Sequence, residues 1–113
     1  MQQYNILGKV KGDTYNGVQF QYIKDGVPVD LTGAGIFIDF RYPRKTGKLT
    51  KALSVGNGIT ITDAVNGEFR IDPFDLVGFE VNKHYYDIQL VLDGATKTYL
   101  EGYLEVIQDV TVV

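Results

Sequence analysis

The strongest constraint on this chain is a two-residue alternation that returns along its length and is clearest over residues 36–42. There Ile36, Ile38, Phe40 and Tyr42 alternate with Phe37, Asp39 and Arg41. Successive side chains of a β-strand point to opposite faces, so this pattern buries one set and leaves the other for solvent or a partner. The same period sets Val18, Phe20 and Tyr22 against Gln19 and Gln21, and Tyr86, Ile88, Leu90 and Leu92 against Tyr85, Asp87, Gln89 and Val91. A final run places Leu100, Gly102, Leu104 and Val106 opposite Tyr99, Glu101, Tyr103 and Glu105.

Turn chemistry separates these runs. Asp25-Gly26 and Asp93-Gly94 are hairpin turns of the kind that needs left-handed backbone, and Pro28 suits an edge or a strand start. Gly56-Asn57-Gly58 and Asn66-Gly67 lead into short strands at 59–62 and 68–71, which predict a hairpin, and residues 49–55 form a less regular strand. Over 73–78 the signals change: Asp72 is a candidate N-cap, Pro73 takes the first helical position and Gly78 is a stop, so one short helical turn is expected. The whole predicts an all-β protein, an immunoglobulin-like antiparallel β-sandwich of about seven strands. A small barrel stays open, because period-2 patterning fits both. Tyr86 follows the helical corner, where sandwich domains place a tyrosine that ties down the corner backbone; an ordinary core aromatic is the other reading.

A chain of 113 residues suits a single domain over 1–113, with candidate extended arms at 1–7 and 108–113. Cysteine is absent, which excludes disulfides, thiol nucleophiles and thiolate metal sites. The first residues lack a basic stretch followed by an apolar one, and no segment approaches the ~20 apolar residues of a membrane span, so synthesis in a cytoplasm is expected. A net charge of −3 gives no general attraction to nucleic acid or anionic membrane.

His84 is the only histidine, so no typical zinc site can be completed, and it is expected at the surface or a strand edge. Ser54, the only serine, lacks the surroundings of a nucleophile elbow. Residues 42–49 fail the phosphate-loop pattern, with Tyr42 and Leu49 where glycine and Ser or Thr are needed. Asp39 and Asp87 interrupt hydrophobic strands and are expected to be solvated or paired with an arginine such as Arg41 or Arg70. No catalytic residue, metal or cofactor is expected.

Interaction features are stronger. Residues 41–51 carry Arg41, Arg44, Lys45, Lys48 and Lys51 without an acid; removing those five charges from the net −3 leaves −8 on the rest. A basic loop on an acidic body is a candidate docking element for an acidic neighbour or another copy of the chain. The apolar end, with Val110, Val112 and Val113, can add a strand to a partner's sheet or complete this one. Outward Tyr85, Tyr99 and Tyr103 are candidate assembly contacts or, alternatively, a platform for sugar rings.

The order of these elements carries a resemblance. Gly12 to Tyr42, GDTYNGVQFQYIKDGVPVDLTGAGIFIDFRY, followed by NGITITDAVNGEFRIDPFDL at 57–76 and YYDIQLVLDGATKTYLEGYLEV at 85–106, resembles the immunoglobulin-like module at the N-terminus of phage baseplate upper proteins and related tail or head accessory proteins. The resemblance implies a non-enzymatic virion structural protein that binds other virion proteins and copies of itself. It brings no direct nucleic-acid contact, no membrane and no catalytic residues. The chain ends soon after the module, where baseplate upper proteins continue into coiled-coil regions, so a capsid, tail or neck location is expected as readily as a baseplate one. A carbohydrate- or receptor-binding module is the alternative.

Overall fold

The computed structural model describes residues 2–108, and these form an all-β fold of thirteen mostly short strands. They are β1 (Gln2–Gln3), β2 (Ile6–Val10), β3 (Thr14–Tyr15), β4 (Val18–Gln21), β5 (Ile23–Lys24), β6 (Val27–Pro28), β7 (Gly35–Tyr42), β8 (Lys48–Val55), β9 (Gly58–Asp63), β10 (Glu68–Ile71), β11 (Phe74–Asp75), β12 (Asn82–Leu92) and β13 (Ala95–Ile107). Nine of them make one sheet in the order β1-β13-β12-β7-β8-β9-β10-β4, with β2 also on β13; β3 with β11 and β5 with β6 form two small ribbons.

The sheet is mixed rather than purely antiparallel. β1 and β2 run parallel to β13, and β8 runs parallel to β9 through a tight corner in which Ser54 and Asn57 exchange backbone hydrogen bonds and Gly56 donates its N–H to the Ile59 carbonyl. Period-2 reading cannot see either feature, because strand direction leaves the alternation unchanged. The expected hairpin of 59–62 with 68–71 is present, and Ile71 lies opposite Ile59. Both Asp-Gly turns adopt the expected geometry, with φ of 53° and 79° at Asp25 and Gly26 and 52° and 78° at Asp93 and Gly94.

The alternation sorts residues as anticipated. Ile36, Ile38 and Phe40 of β7 and Ile88 and Leu90 of β12 are buried, with Leu100, Leu104 and Val106 of β13 beside them. The sheet curls until its far strands meet these. Phe20 of β4 and Phe69 of β10 pack against Tyr99 of β13, with ring centroids 6.3 and 6.1 Å apart, and Phe20 meets Tyr4 at 5.5 Å. One contiguous apolar core results.

No helical turn forms over 73–78. Phe74 and Asp75 are the strand β11, paired with Tyr15 and Thr14, and Leu76 donates its N–H to the Asp13 carbonyl. Asp72 does not cap a helix; its carboxylate accepts from Thr60 and from Arg70, and the Arg70 bond above all holds it below the usual carboxylate range. The cause is a competing period: Phe74 and Leu76 turn inward while Asp75 and Val77 turn out, a strand alternation that overrides the local capping signals.

Tyr86 therefore follows no helical corner. Buried, it donates its hydroxyl to the Tyr4 carbonyl and so ties down the N-terminal strand, and burial pushes that hydroxyl's pKa well above the tyrosine range. The seam is close-fitting at Gly102, where an added Cβ would overlap the Tyr4 carbonyl oxygen. Asn5 completes the break between β1 and β2 by accepting the Tyr103 N–H at 3.2 Å. Residues 2–10 thus lie along β13.

Two substitutions test this seam by urea unfolding. Gly102→Ala is expected to lower stability by about 2 kcal/mol through overpacking against a backbone carbonyl. Tyr86→Phe is expected to lose about 1 kcal/mol through the missing hydrogen bond.

Candidate functional site

The outer face of β7, β12 and β13 is a grid of side chains held in register by the sheet. Arg41, Tyr85 and Tyr103 form one row, and Asp39, Asp87 and Glu101 form the next. Carboxylates directly opposite one another repel, so this second row weakens the sheet unless something offsets it. Two cations do so at its ends: Arg41 lies 3.8 Å from Asp39 and Lys45 lies 3.5 Å from Glu101. Both pairs are solvent-exposed and each contributes about 0–1 kcal/mol. The carboxylate of Asp87, at the centre, has no hydrogen bond or ion pair among the described residues.

Around this row the surface is hollowed. A trough of about 240 Å³ is lined by Asp39, Asp87, Gln89 and Glu101, with Arg41, Lys45 and Tyr85. A second hollow of about 200 Å³ lies beside it, lined by Gln3, Asn5 and Tyr103, and shares Lys45, Tyr85 and Glu101. Tyr85 and Tyr103 meet edge to face at 6.0 Å, and the Lys83 ammonium stands 4.7 Å from the Tyr103 ring centre. Asp39 is paired with Arg41, one of the two alternatives anticipated for it.

The basic segment is divided by the sheet. Arg41 and Lys45 reach the trough, and Arg41 also donates to the Gly47 carbonyl at 3.2 Å, bracing the loop. Lys51 lies opposite Phe40, hence on the inner side, with its ammonium 5.3 Å from the Phe74 ring centre. Arg44 and Lys48 are exposed at the loop and form no ion pair among the described residues. Five charges adjacent in sequence thus serve three different places. Val110, Val112 and Val113 lie outside the described residues.

Tyr99 is not an outward platform residue. A bulge between Ile88 and Gln89 leaves Tyr99 unpaired opposite β12, and its ring turns into the cluster of Phe20, Tyr22 and Phe69. Its hydroxyl donates to the Gln21 carbonyl at 3.1 Å. One extra residue in a strand reverses the facing of everything on one side of it, which simple alternation cannot anticipate.

His84 is also not at the surface: the sheet buries it completely. Its ring stacks on Tyr42 at 5.0 Å and meets Phe79 at 4.8 Å. Nε2 lies 2.8 Å from the Glu80 carbonyl and Nδ1 lies 3.0 Å from the Thr50 hydroxyl. A neutral ring protonated at Nε2 fits, with Nε2–H donating to Glu80 and Nδ1 accepting from Thr50. The Lys11 ammonium donates to the Val77 and Phe79 carbonyls nearby, so two basic side chains fasten the loop at 77–80. Even chain position was informative here: His84 has the same parity as Tyr86, Ile88 and Leu90. Among the described residues no group of three His, Asp or Glu side chains converges on a metal position.

No protein-family profile matches this chain, and no curated protein matches its sequence.

The buried histidine sets a pH dependence. Burial, with a smaller effect of Lys11, lowers its pKa below the ordinary 6.5, against the raising effect of Glu80. A group depressed in the fold takes up protons more readily when unfolded, so stability is full above pH 6.5 and falls as pH drops from there through the folded-state pKa. Unfolding titrations at stepped pH are expected to show this decline in the wild type and to lose it in His84→Gln. The carboxylate of Asp72 acts in a separate, more acidic window, below 3.8.

Proposed function

We propose that this chain is a non-enzymatic structural subunit of a bacteriophage particle, a β-sandwich of the immunoglobulin-like kind that works through contacts with neighbouring virion proteins and copies of itself. What carries this reading is the ordered set of segments described above, whose motif residues each have a mechanical task. Asp13 of the GDT segment accepts the Leu76 N–H, and Asp25-Gly26 turns the β5–β6 ribbon. In the DLTGA segment Asp30 accepts both the backbone N–H and the hydroxyl of Thr32, at 2.9 and 2.6 Å, while Leu31 and Ala34 are buried.

Facing contacts of Phe20 and Phe69 with Tyr99 support the sandwich reading, since they join the two halves of the curled sheet across one core. The surface offers material for assembly. Arg44 and Lys48 present charge at a loop with no ion pair among the described residues, and Leu7 on β2 with Ile107 on β13 leave apolar side chains exposed at one end of the sheet order. A position in the virion after synthesis in the host cytoplasm follows from this reading.

Mass spectrometry of gradient-purified particles from the encoding phage or lysogen tests the assignment. The chain is expected in fixed, multi-copy ratio to the other particle proteins. Its absence from intact particles would contradict the proposal. In particle reassembly, Arg44→Glu combined with Lys48→Glu is expected to weaken incorporation about tenfold and to remove its salt dependence.

A further inference from the structure

We propose that the trough on the outer face of β7, β12 and β13 is a binding site for a neutral saccharide, with Asp87 as its central acceptor and Tyr85 as its apolar wall. The inference stands apart from the particle assignment, since it rests on the face alone.

The chemistry of the lining narrows the ligand. Asp39, Asp87 and Glu101 supply carboxylate acceptors, while Arg41, Lys45 and Gln89 supply donors within the same trough. A ligand satisfying both sets must donate and accept at closely spaced points, as sugar hydroxyls do. A purely cationic ligand fits less well, because Arg41 and Lys45 already occupy the outer carboxylates. Phosphate-rich ligands, nucleic acid included, would meet the carboxylate row. A metal ion is disfavoured by divergence, since the described acids do not converge.

Shape agrees. The trough and its neighbour, about 240 and 200 Å³, share Lys45, Tyr85 and Glu101, and each is smaller than the roughly 300–1,000 Å³ typical of drug-sized ligands. Such adjoining hollows suit successive sugar rings. Tyr85 lines both and offers a rigid ring whose apolar face complements the C–H face of a pyranose. The second hollow is lined by Gln3, which adds an amide group, and by Tyr103. Asp87 is half-buried and flanked by two acids in register, and its carboxylate accepts from no protein donor among the described residues, so its oxygens are open to a ligand hydroxyl.

Titration of the ¹⁵N-labelled protein with methyl α-D-glucopyranoside, methyl β-D-galactopyranoside, N-acetylglucosamine and L-rhamnose tests the site. At least one sugar is expected to move the amides of Asp39, Tyr85, Asp87 and Glu101 in a saturable way. Asp87→Ala and Tyr85→Ala are each expected to weaken that binding tenfold or more while the remaining spectrum keeps its folded dispersion. A parallel titration with tetralysine separates charge from shape. The proposal is overturned if no sugar moves these amides, if tetralysine alone does so, or if the sugar response survives Asp87→Ala unchanged.

Discussion

The fold depends on one cluster of rings. Tyr99 of β13 meets Phe20 and Phe69 from the far side of the nine-strand order, and Tyr4 and Tyr22 close around them. Sheets twist naturally, but a twisted sheet alone leaves one face wet. The cluster converts that twist into closure, bringing β4 and β10 against the inner side of β13, while Phe74 and Phe79 cover Phe40 of β7. It exists because of the bulge at Ile88 and Gln89, which lets Tyr99 and Leu100 both face inward. Burial holds the Tyr99 hydroxyl above its ordinary pKa, so it stays a neutral donor to Gln21 across the closure.

From closure follows the division of surfaces. With the inner face sealed, the outward residues of β7, β12 and β13 stand as a grid, and the loop at 43–47 is held against it by Lys45 on Glu101 and by Arg41 on the Gly47 carbonyl. The N-terminal strand is then placed by the outer strand of that grid. Gly102 permits its approach, and Tyr86 and Asn5 fix it. Stability and surface are thus set by the same few backbone irregularities. The proposed assembly contacts at Arg44, Lys48, Leu7 and Ile107 and the proposed saccharide trough use different side chains, so neither requires the other.

Much of the fold was legible in the sequence where the physics is local. Alternation identified the buried faces of β4, β7 and β12, and Asp-Gly pairs marked turns whose left-handed backbone few other residues accept. Legibility ended where a distant partner decides. At Phe74 the pairing with Tyr15 beat a local cap, and at Tyr99 a bulge changed the facing. His84 was legible by parity, but a lone histidine looks like a surface residue until Thr50 and Glu80 are known to satisfy it. The trough was partly visible, since Asp39 and Asp87 stand out within apolar strands; only strand register brings Glu101 beside them and sends Lys51 to the other face.

Native-state hydrogen exchange in rising denaturant, in the wild type and in Tyr99→Ala, bears most directly on closure by the aromatic cluster. Amides of Phe69 and Ile71 in β10 and of Leu100 and Leu104 in β13 are predicted to merge into one unfolding isotherm. The substitution should lower both by the same amount, about 3 kcal/mol. Separate isotherms, with β10 exchanging independently and unmoved by Tyr99→Ala, would contradict the account.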